Sequence, residues 1–220
     1  MPASSPLAPK LRKGAIVAVD QDSGAIRSSI AFQYNPQTVT RSLTPSMAPE
    51  QATQKLRFTG APEETFSLKI VVDAVDMLER GDAQAASVGI YPQLAALEIL
   101  VYPFSKLVAD NDKTLEQGQI EILNPLYDAA MTLFVWGPDR IVPVQITSFA
   151  IAEENFDAEL KPIRAEIDLS LRALSYSDLV PEHRGHQLFL RYQARKESLA
   201  AQGGTANLAG AIGFDLSSRI

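Results

Sequence analysis

The chain has 220 residues, of which 46% are hydrophobic and 21% charged, so it can bury a core and does not have the composition of a disordered protein. It contains no cysteine, which excludes a disulfide scaffold, a thiolate metal site and a cysteine nucleophile. The net charge is −6, and residues 42–177 alone carry a net −10. Because nucleic-acid binders carry a basic surface on their folded body, this acidic body argues against a nucleic-acid partner.

The length suits one β domain with an appendage or two small domains. Residues 1–10 are polar and proline-containing, and they lack the basic start and apolar run of a secretion signal. No stretch approaches the ~20 apolar residues that a membrane-spanning helix needs. We therefore expect a flexible arm over residues 1–10, a cytoplasmic location and no direct membrane insertion.

The first half of the chain is predicted to be mainly β. Asp20–Gly24 has the composition of a turn, because Asp, Ser and Gly favour local hydrogen bonds and positive φ. Pro36 ends the following strand, since proline has no amide hydrogen for a ladder. The predicted elements are, in order, a strand at 15–19, a strand at 26–34, a loop at 43–50, a strand at 55–60 and a strand at 65–72.

The second half alternates between helix and strand. Residues 91–101 have apolar side chains at helical spacing, with Pro92 in the first turn and Pro103 after the end. Residues 73–89 are polar and alanine-rich, with no strong period. The remaining predicted elements are a charged loop at 110–118, strands at 130–136 and 140–152, a connection at 153–157 and a strand within 158–174.

This last strand has the clearest pattern in the sequence, a strict alternation of apolar and polar residues. The period of two describes a strand with one buried and one solvated face. The apolar members are Ile163, Ala165, Ile167, Leu169 and Leu171. The polar members, which are our candidates for the lumen if the protein lines a tube, are Arg164, Glu166, Asp168, Ser170 and Arg172.

Residues 178–220 have a different character from the β body. A helix is predicted over residues 182–201, followed by a hinge at Gly203–Gly204 and a Gly- and Ala-rich tail that carries apolar residues. We expect this extension to gain little by packing on its own domain and to dock on a partner instead. The docking candidates are Leu188, Tyr192, Leu199, Leu208, Ile212, Phe214 and Leu216.

No catalytic or metal-binding constellation is apparent in the sequence. His183 and His186 have the spacing of a metal pair on one helical face but no evident third ligand, so we expect structural or solvated histidines. The doublets Glu63–Glu64 and Glu153–Glu154 are predicted to be solvated turn charges, because neighbours in a strand point to opposite faces. Trp136 and Tyr34 are read as packing residues or turn anchors rather than ligand-stacking groups. We expect no cofactor and no metal.

Two stretches resemble the tube-like domain of contractile injection system proteins. Residues 32–41 read F-Q-Y-N-P-Q-T-V-T-R, similar to the family's strand-to-loop motif. Residues 134–174 resemble its C-terminal hairpin, with W-G at 136–137, V-P-V at 142–144, E-E-N-F-D at 153–157 and L-K-P-I-R-A-E at 160–166. The similarity extends over about residues 11–177, whereas residues 178–220 do not resemble the LysM-type module found in many members.

The resemblance implies a mainly β (α+β) fold, a phage tail-tube-like β-sandwich or barrel with one packed helix, assembled as a hexameric ring. It also implies a structural role as a tube initiator between the inner tube and the baseplate or spike. The partners implied are copies of the chain and other tube, spike or hub, baseplate wedge and sheath subunits. Two other classes remain open: a cell-wall-degrading hydrolase and a monomeric ligand-binding β-sandwich associated with such a particle.

Overall fold

Seven strands form one antiparallel sheet in the computed structural model, which describes residues 11–48, 56–103, 105–116 and 130–203. The order of the strands across the sheet is β2-β1-β5-β6-β7-β4-β3. In chain order they are β1 (Ala15–Val19), β2 (Ile26–Ala31), β3 (Val39–Thr44), β4 (Glu63–Asp73), β5 (Met131–Val135), β6 (Ile141–Phe156) and β7 (Pro162–Ala173). The predicted class, mainly β with a C-terminal helix, is confirmed.

The long strand β6 belongs to both halves of the sheet. It pairs with β5 over residues 141–144 and with β7 from Val144 to Phe156. The register shifts between Ile146 and Ser148, where a bulge increases the local twist and bends the strand. Strands that pass from one packed layer to another commonly turn at such a bulge.

The sheet curls until its two halves face each other. The side chain of Gln33, just after β2, donates to the carbonyl of Asp73 on β4 at 2.7 Å and accepts from its amide at 2.9 Å. These strands are five steps apart in the sheet, which would be about 24 Å if it were flat. No strand ladder joins the two ends among the described strands, so the sheet is sandwich-like and is not closed into a barrel.

The facing halves enclose an aromatic and aliphatic core. Phe66 on β4 and Phe134 on β5 lie with their ring centroids 5.2 Å apart. The predicted inward face of β7 is confirmed, because Ala165, Ile167 and Leu171 are each 0% exposed. Each large aliphatic side chain buried in this way stabilises the fold by roughly 1.5–3 kcal/mol.

Helices fill the gaps around the sheet. They are α1 (Val75–Glu79), α2 (Ala83–Val88), α3 (Tyr91–Glu98), α4 (Ser105–Glu116) and α5 (Arg184–Gly203). The α3 helix buries Leu94 and Leu97, in agreement with the predicted helix. Because α1 and α2 have only five and six residues, the sequence period that would reveal them is too short to recognise. Of the helices in the described ranges, none is both long and apolar enough to cross a membrane.

Several sequence-based boundaries are wrong. The strand predicted at 26–34 ends at Ala31, and the helix predicted at 91–101 ends at Glu98. The charged segment predicted as a loop from 110 is the second half of a helix that ends at Glu116, and its charged residues are compatible with a helix as well as with a loop. The segment predicted as a loop from residue 43 is strand to Thr44, and the strand predicted at 55–60 is reduced to one bridge between Met47 and Phe58. The connection predicted at 153–157 is strand to Phe156, because backbone pairing with β7 does not require a buried face.

Candidate assembly surface

The five lumen candidates lie together on the face of β7 that is opposite the core. Asp168 is exposed, and the other four are partly exposed. The side chain of Lys69 on the neighbouring strand β4 lies on the same face, with its Nζ 2.9 Å from Glu166 and 3.9 Å from Asp168. The hydrogen bond from Lys69 lowers the pKa of Glu166, and the same bond raises the pKa of Lys69. The pair therefore stays ionised over the neutral range.

Arg164 connects three strands at one end of the same face. Its guanidinium nitrogens lie 3.1 Å from Glu154 on β6, 3.4 Å from Asp73 on β4 and 3.4 Å from Glu166 on β7. The hydrogen bond to Glu154, followed by those to Asp73 and Glu166, raises the pKa of Arg164 against the opposing effect of burial. Ladders of this kind across adjacent strands hold mixed charge on a hydrated surface.

The other end of the polar face is fixed to the chain that leaves the sheet. Arg172 donates to Asp178 at 2.7 Å and to the Gln145 side chain at 3.2 Å. Asp178 also accepts from the amide and the hydroxyl of Ser175, each at 2.8 Å. Burial raises the pKa of Asp178, but the bonds from Arg172 and Ser175 outweigh it and lower the pKa overall. Residues 175–178 are thus a fixed turn.

Glu64 is buried, so the prediction of a solvated turn charge is wrong for this residue. Its side chain is 0% exposed and accepts from the hydroxyl of Tyr192 and from Nζ of Lys196, both at 2.7 Å. Arg41 Nε on β3 lies 3.6 Å away. Burial, followed by the bond to Glu64, raises the pKa of Tyr192. The sequence does hold a signal for it, because Glu64 has the same strand parity as the buried Phe66.

The helix α5 packs on the body, contrary to the expectation of an outward-reaching extension. Phe189 is 2% exposed and Tyr192 is 5% exposed. Their rings meet edge to face with centroids 6.1 Å apart, and the ammonium of Lys196 lies 3.9 Å from the centre of the Tyr192 ring. Tyr192 is therefore a core residue, and its assignment to a docking surface is wrong because its side chain is covered by its own domain.

The other docking candidates have different positions. Leu188 is partly buried on α5, and Leu199 is 42% exposed near its end. The four tail candidates lie outside the described residues: Leu208, Ile212, Phe214 and Leu216.

The two histidines form hydrogen bonds at the start of α5. His183 Nδ1 accepts from the amide of Gly185 at 3.0 Å, and its Nε2 lies 3.1 Å from the side-chain oxygen of Gln21. His186 Nδ1 donates to the carbonyl of Leu179 at 2.9 Å. Within the part of the chain that the structure describes, no three His, Asp or Glu side chains come together as a metal site would require. These contacts give both histidines a structural role.

The F-Q-Y-N-P motif ties β2 to the rest of the domain. Phe32 is 1% exposed in the core, and the Asn35 side chain accepts from the Gly14 amide and donates to the Arg12 carbonyl, both at 2.8 Å. Trp136 packs against Phe32, with ring centroids 6.3 Å apart. Tyr34 is 49% exposed and lines a groove of about 590 Å³ beside the polar face. Core packing explains Phe32 and backbone hydrogen bonding explains Asn35, whereas the core packing considered for Tyr34 is not seen, because its side chain is half-exposed.

Comparison with known proteins agrees with this architecture. The model of the family described as contractile injection system tube protein matches residues 10–179. No curated protein matches the sequence. The matched region contains all seven described strands and the polar face of β7. The chain therefore belongs to the contractile injection system tube protein family, and it is a structural subunit of such a particle.

Proposed function

We propose that six copies of the chain form a ring that connects the inner tube to the baseplate and spike, the role of a tube initiator. The observation that carries this proposal is the polar face of β7. Its charged side chains form ion pairs with residues of the neighbouring strands and lie on the side of the sheet opposite the core. A wall made of such faces would give a tube a wetted, mixed-charge lumen. Arg164, Glu166, Asp168, Ser170 and Arg172 are the residues that we propose to line it.

The edges of the sheet supply a means of closing the ring. Among the described strands, β2 and β3 are each paired on one side only, and β6 has no strand beside its β5-facing edge after Val144. Unpaired strand edges are templates for pairing with another chain unless they are covered. A ring of identical copies can cover such edges with no exposed end, because each heterologous contact is repeated until the ring closes.

The segment after the family match supports a connecting role. The match ends at residue 179, and α5 then crosses the body, with Arg195 Nε 2.8 Å from Asp139 in the β5–β6 turn. We propose that the surface around Leu188 and Leu199, together with the apolar residues of 204–220, docks on a baseplate wedge, hub or sheath-initiating subunit. The organisation that we propose is an arm at 1–10, a tube-like domain at 11–177 and an extension at 178–220, in which α5 packs on the domain and residues 204–220 dock on the partner.

This role requires neither catalysis nor a cofactor. We propose that the particle assembles in the cytoplasm and that this chain binds only other protein subunits. The hydrolase alternative predicts lysis in a zymogram that a single His183 or Glu154 substitution abolishes. The ligand-binding alternative predicts a monomer that does not co-purify with the particle.

A deletion of residues 204–220 tests the docking step. We expect the shortened chain to fold, because every described core residue lies before Gly203, and to be lost from purified particles. The folded state would be checked by thermal unfolding, and incorporation by co-purification with sheath and spike subunits. Unfolding or aggregation of the shortened chain, or its normal incorporation, would contradict the docking function of the tail.

A further inference from the structure

The two halves of the sheet face each other, and among the described strands no ladder joins β2 to β3. Side-chain bonds tie the halves at one end of β4, where Gln33 bonds to both the amide and the carbonyl of Asp73. Glu64 lies near the other end of the same strand, about 30 Å away. The Gln33 bonds therefore leave the Glu64 end of β4 to be held by another part of the chain.

The helix α5 is attached to the half that contains β1, β2 and β5. Near its start, Arg184 Nε donates to the carbonyl of Asp22 in the β1–β2 turn at 3.0 Å. Further along, Arg195 Nε lies 2.8 Å from the carboxylate of Asp139 in the β5–β6 turn. Because β1 and β5 are antiparallel, these two turns lie at opposite ends of the half. The helix therefore runs along the half from one turn to the other.

The next residue on α5 binds the other half of the sheet. Lys196 Nζ lies 2.7 Å from one carboxylate oxygen of Glu64, and the Tyr192 hydroxyl donates to the other oxygen at 2.7 Å. Glu64 belongs to β4, which pairs with β3 and β7. Two consecutive cations, at 195 and 196, thus bind carboxylates that belong to opposite halves of the sheet.

Apolar packing holds the first part of α5 but not the second. The buried residues of the helix are Gly185, Phe189 and Tyr192. Residues 193–203 contain none, so the attachment of this part depends mainly on the ion pairs of Arg195 and Lys196. A segment with few buried apolar contacts opens at a lower free-energy cost than the core does.

We infer that α5 is a clasp that closes the sandwich at the start of β4, with Tyr192, Arg195 and Lys196 as its contacts. When the clasp is released, the two halves separate at the Glu64 end of β4, while the Gln33 bonds keep the Asp73 end together. This is a hinge-type opening of two packed layers. The inference concerns a single chain and is independent of the proposed ring.

The end of the sandwich that opens carries an exposed apolar arm. Leu43 on β3 pairs with Glu64 on β4, directly at the clasp. Beyond these strands the chain continues to the bridge between Met47 and Phe58, whose side chains are 40% and 76% exposed. The clasp therefore sets the direction in which the arm presents these two side chains.

Distances between spin labels test the clasp, because the chain has no cysteine of its own and labels can be placed freely. The pair Ile26→Cys and Leu43→Cys spans the two halves at the clasp end. The pair Ile26→Cys and Val75→Cys spans them at the Asp73 end. The three side chains are 69%, 46% and 46% exposed. Full-length chains would be diluted with unlabelled protein, so that pulsed electron paramagnetic resonance measures distances within one chain.

The variant Lys196→Met removes the ammonium that binds the second half. We expect the distance from Ile26 to Leu43 to lengthen by about 3 Å or more, roughly one layer of water, and its distribution to broaden. The distance from Ile26 to Val75 should stay as in the wild type. No change at the Leu43 end, or an equal change at both ends, would overturn the clasp.

The matched control is Lys69→Met, which removes an ammonium that is paired within one half of the sheet. We expect it to leave both label distances unchanged. A change at the Leu43 end as large as that caused by Lys196→Met would contradict the specific role of α5.

A second variant keeps the test decisive if Lys196→Met does not fold. Arg195→Met breaks an ion pair whose side chains are 42% and 55% exposed, and such pairs contribute little to stability. We expect a nearly unchanged melting temperature together with a broader distribution of the distance from Ile26 to Leu43. A wild-type distribution in the folded Arg195→Met chain would refute the bridging of the two halves by consecutive cations.

Discussion

Removal of the ammonium of Lys196 should destabilise the whole domain, although this residue lies on the C-terminal helix. The variant Lys196→Met keeps a long flexible side chain on α5 and deletes only the charged donor. It leaves the fully buried carboxylate of Glu64 with the Tyr192 hydroxyl at 2.7 Å and Arg41 at 3.6 Å. The buried charge is then only partly compensated.

The expected loss in the free energy of unfolding depends on the groups that still contact Glu64 in the variant. Loss of one partner of a buried ion pair costs about 3–5 kcal/mol, because the other charge stays buried without compensation. Lys196 is 35% exposed, and two donors remain near Glu64, so we expect about 2–3 kcal/mol. For a domain of this size each kcal/mol lowers the melting temperature by roughly 2–4 °C.

Urea unfolding, followed by circular dichroism, measures this loss. The matched control is Lys69→Met, which deletes an ammonium that is paired with Glu166 on the exposed face of the sheet. We expect the control to have a much smaller effect than Lys196→Met, since exposed ion pairs contribute little. Equal stability of Lys196→Met and wild type would refute the view that Glu64 fixes α5 to the body.

Two further predictions concern backbone and pH. Gly89→Ala should cost about 1–3 kcal/mol more in urea unfolding than Gly81→Ala, because both glycines have positive φ but only Gly89 faces the Pro162 oxygen; equal costs would contradict the clash. The lowered pKa of Asp178 implies a stabilisation that is present above its ordinary value of 3.8 and lost as the pH falls through the folded-state value. Asp178→Asn should therefore reduce stability at pH 7 and flatten the decline below pH 5, and an unchanged pH profile would contradict this.

Strands with one buried and one solvated face could be predicted from the sequence. In β7 the alternation is uninterrupted, so the inward set that includes Ile167 and the outward set that includes Asp168 follow directly from the pleat. The last four residues of β6, 153–156, were predicted as a connection because their pairing with β7 requires only backbone groups and leaves polar side chains such as Glu153 exposed. Strand pairing without burial leaves no hydrophobic pattern to recognise.

The contacts between residues far apart in the chain could not be predicted from the sequence. Glu64 and Lys196 are 132 residues apart, and no local pattern shows that a helix will place an ammonium over a buried carboxylate. The same limit explains Tyr192, whose apolar ring fits a docking stripe as well as a core until the opposing surface is known. The helix α5 shows that a change of composition along the chain does not by itself mark a separate body.

The proposed ring has six copies, and the polar face of β7 lines its lumen. A reconstruction of the assembled particle by electron cryomicroscopy, at a resolution that shows side chains, tests it most directly. We expect six copies at the junction of tube and baseplate, with Arg164, Glu166 and Asp168 directed into the channel. A dry subunit interface around these residues, or a single copy at the periphery of the particle, would contradict it.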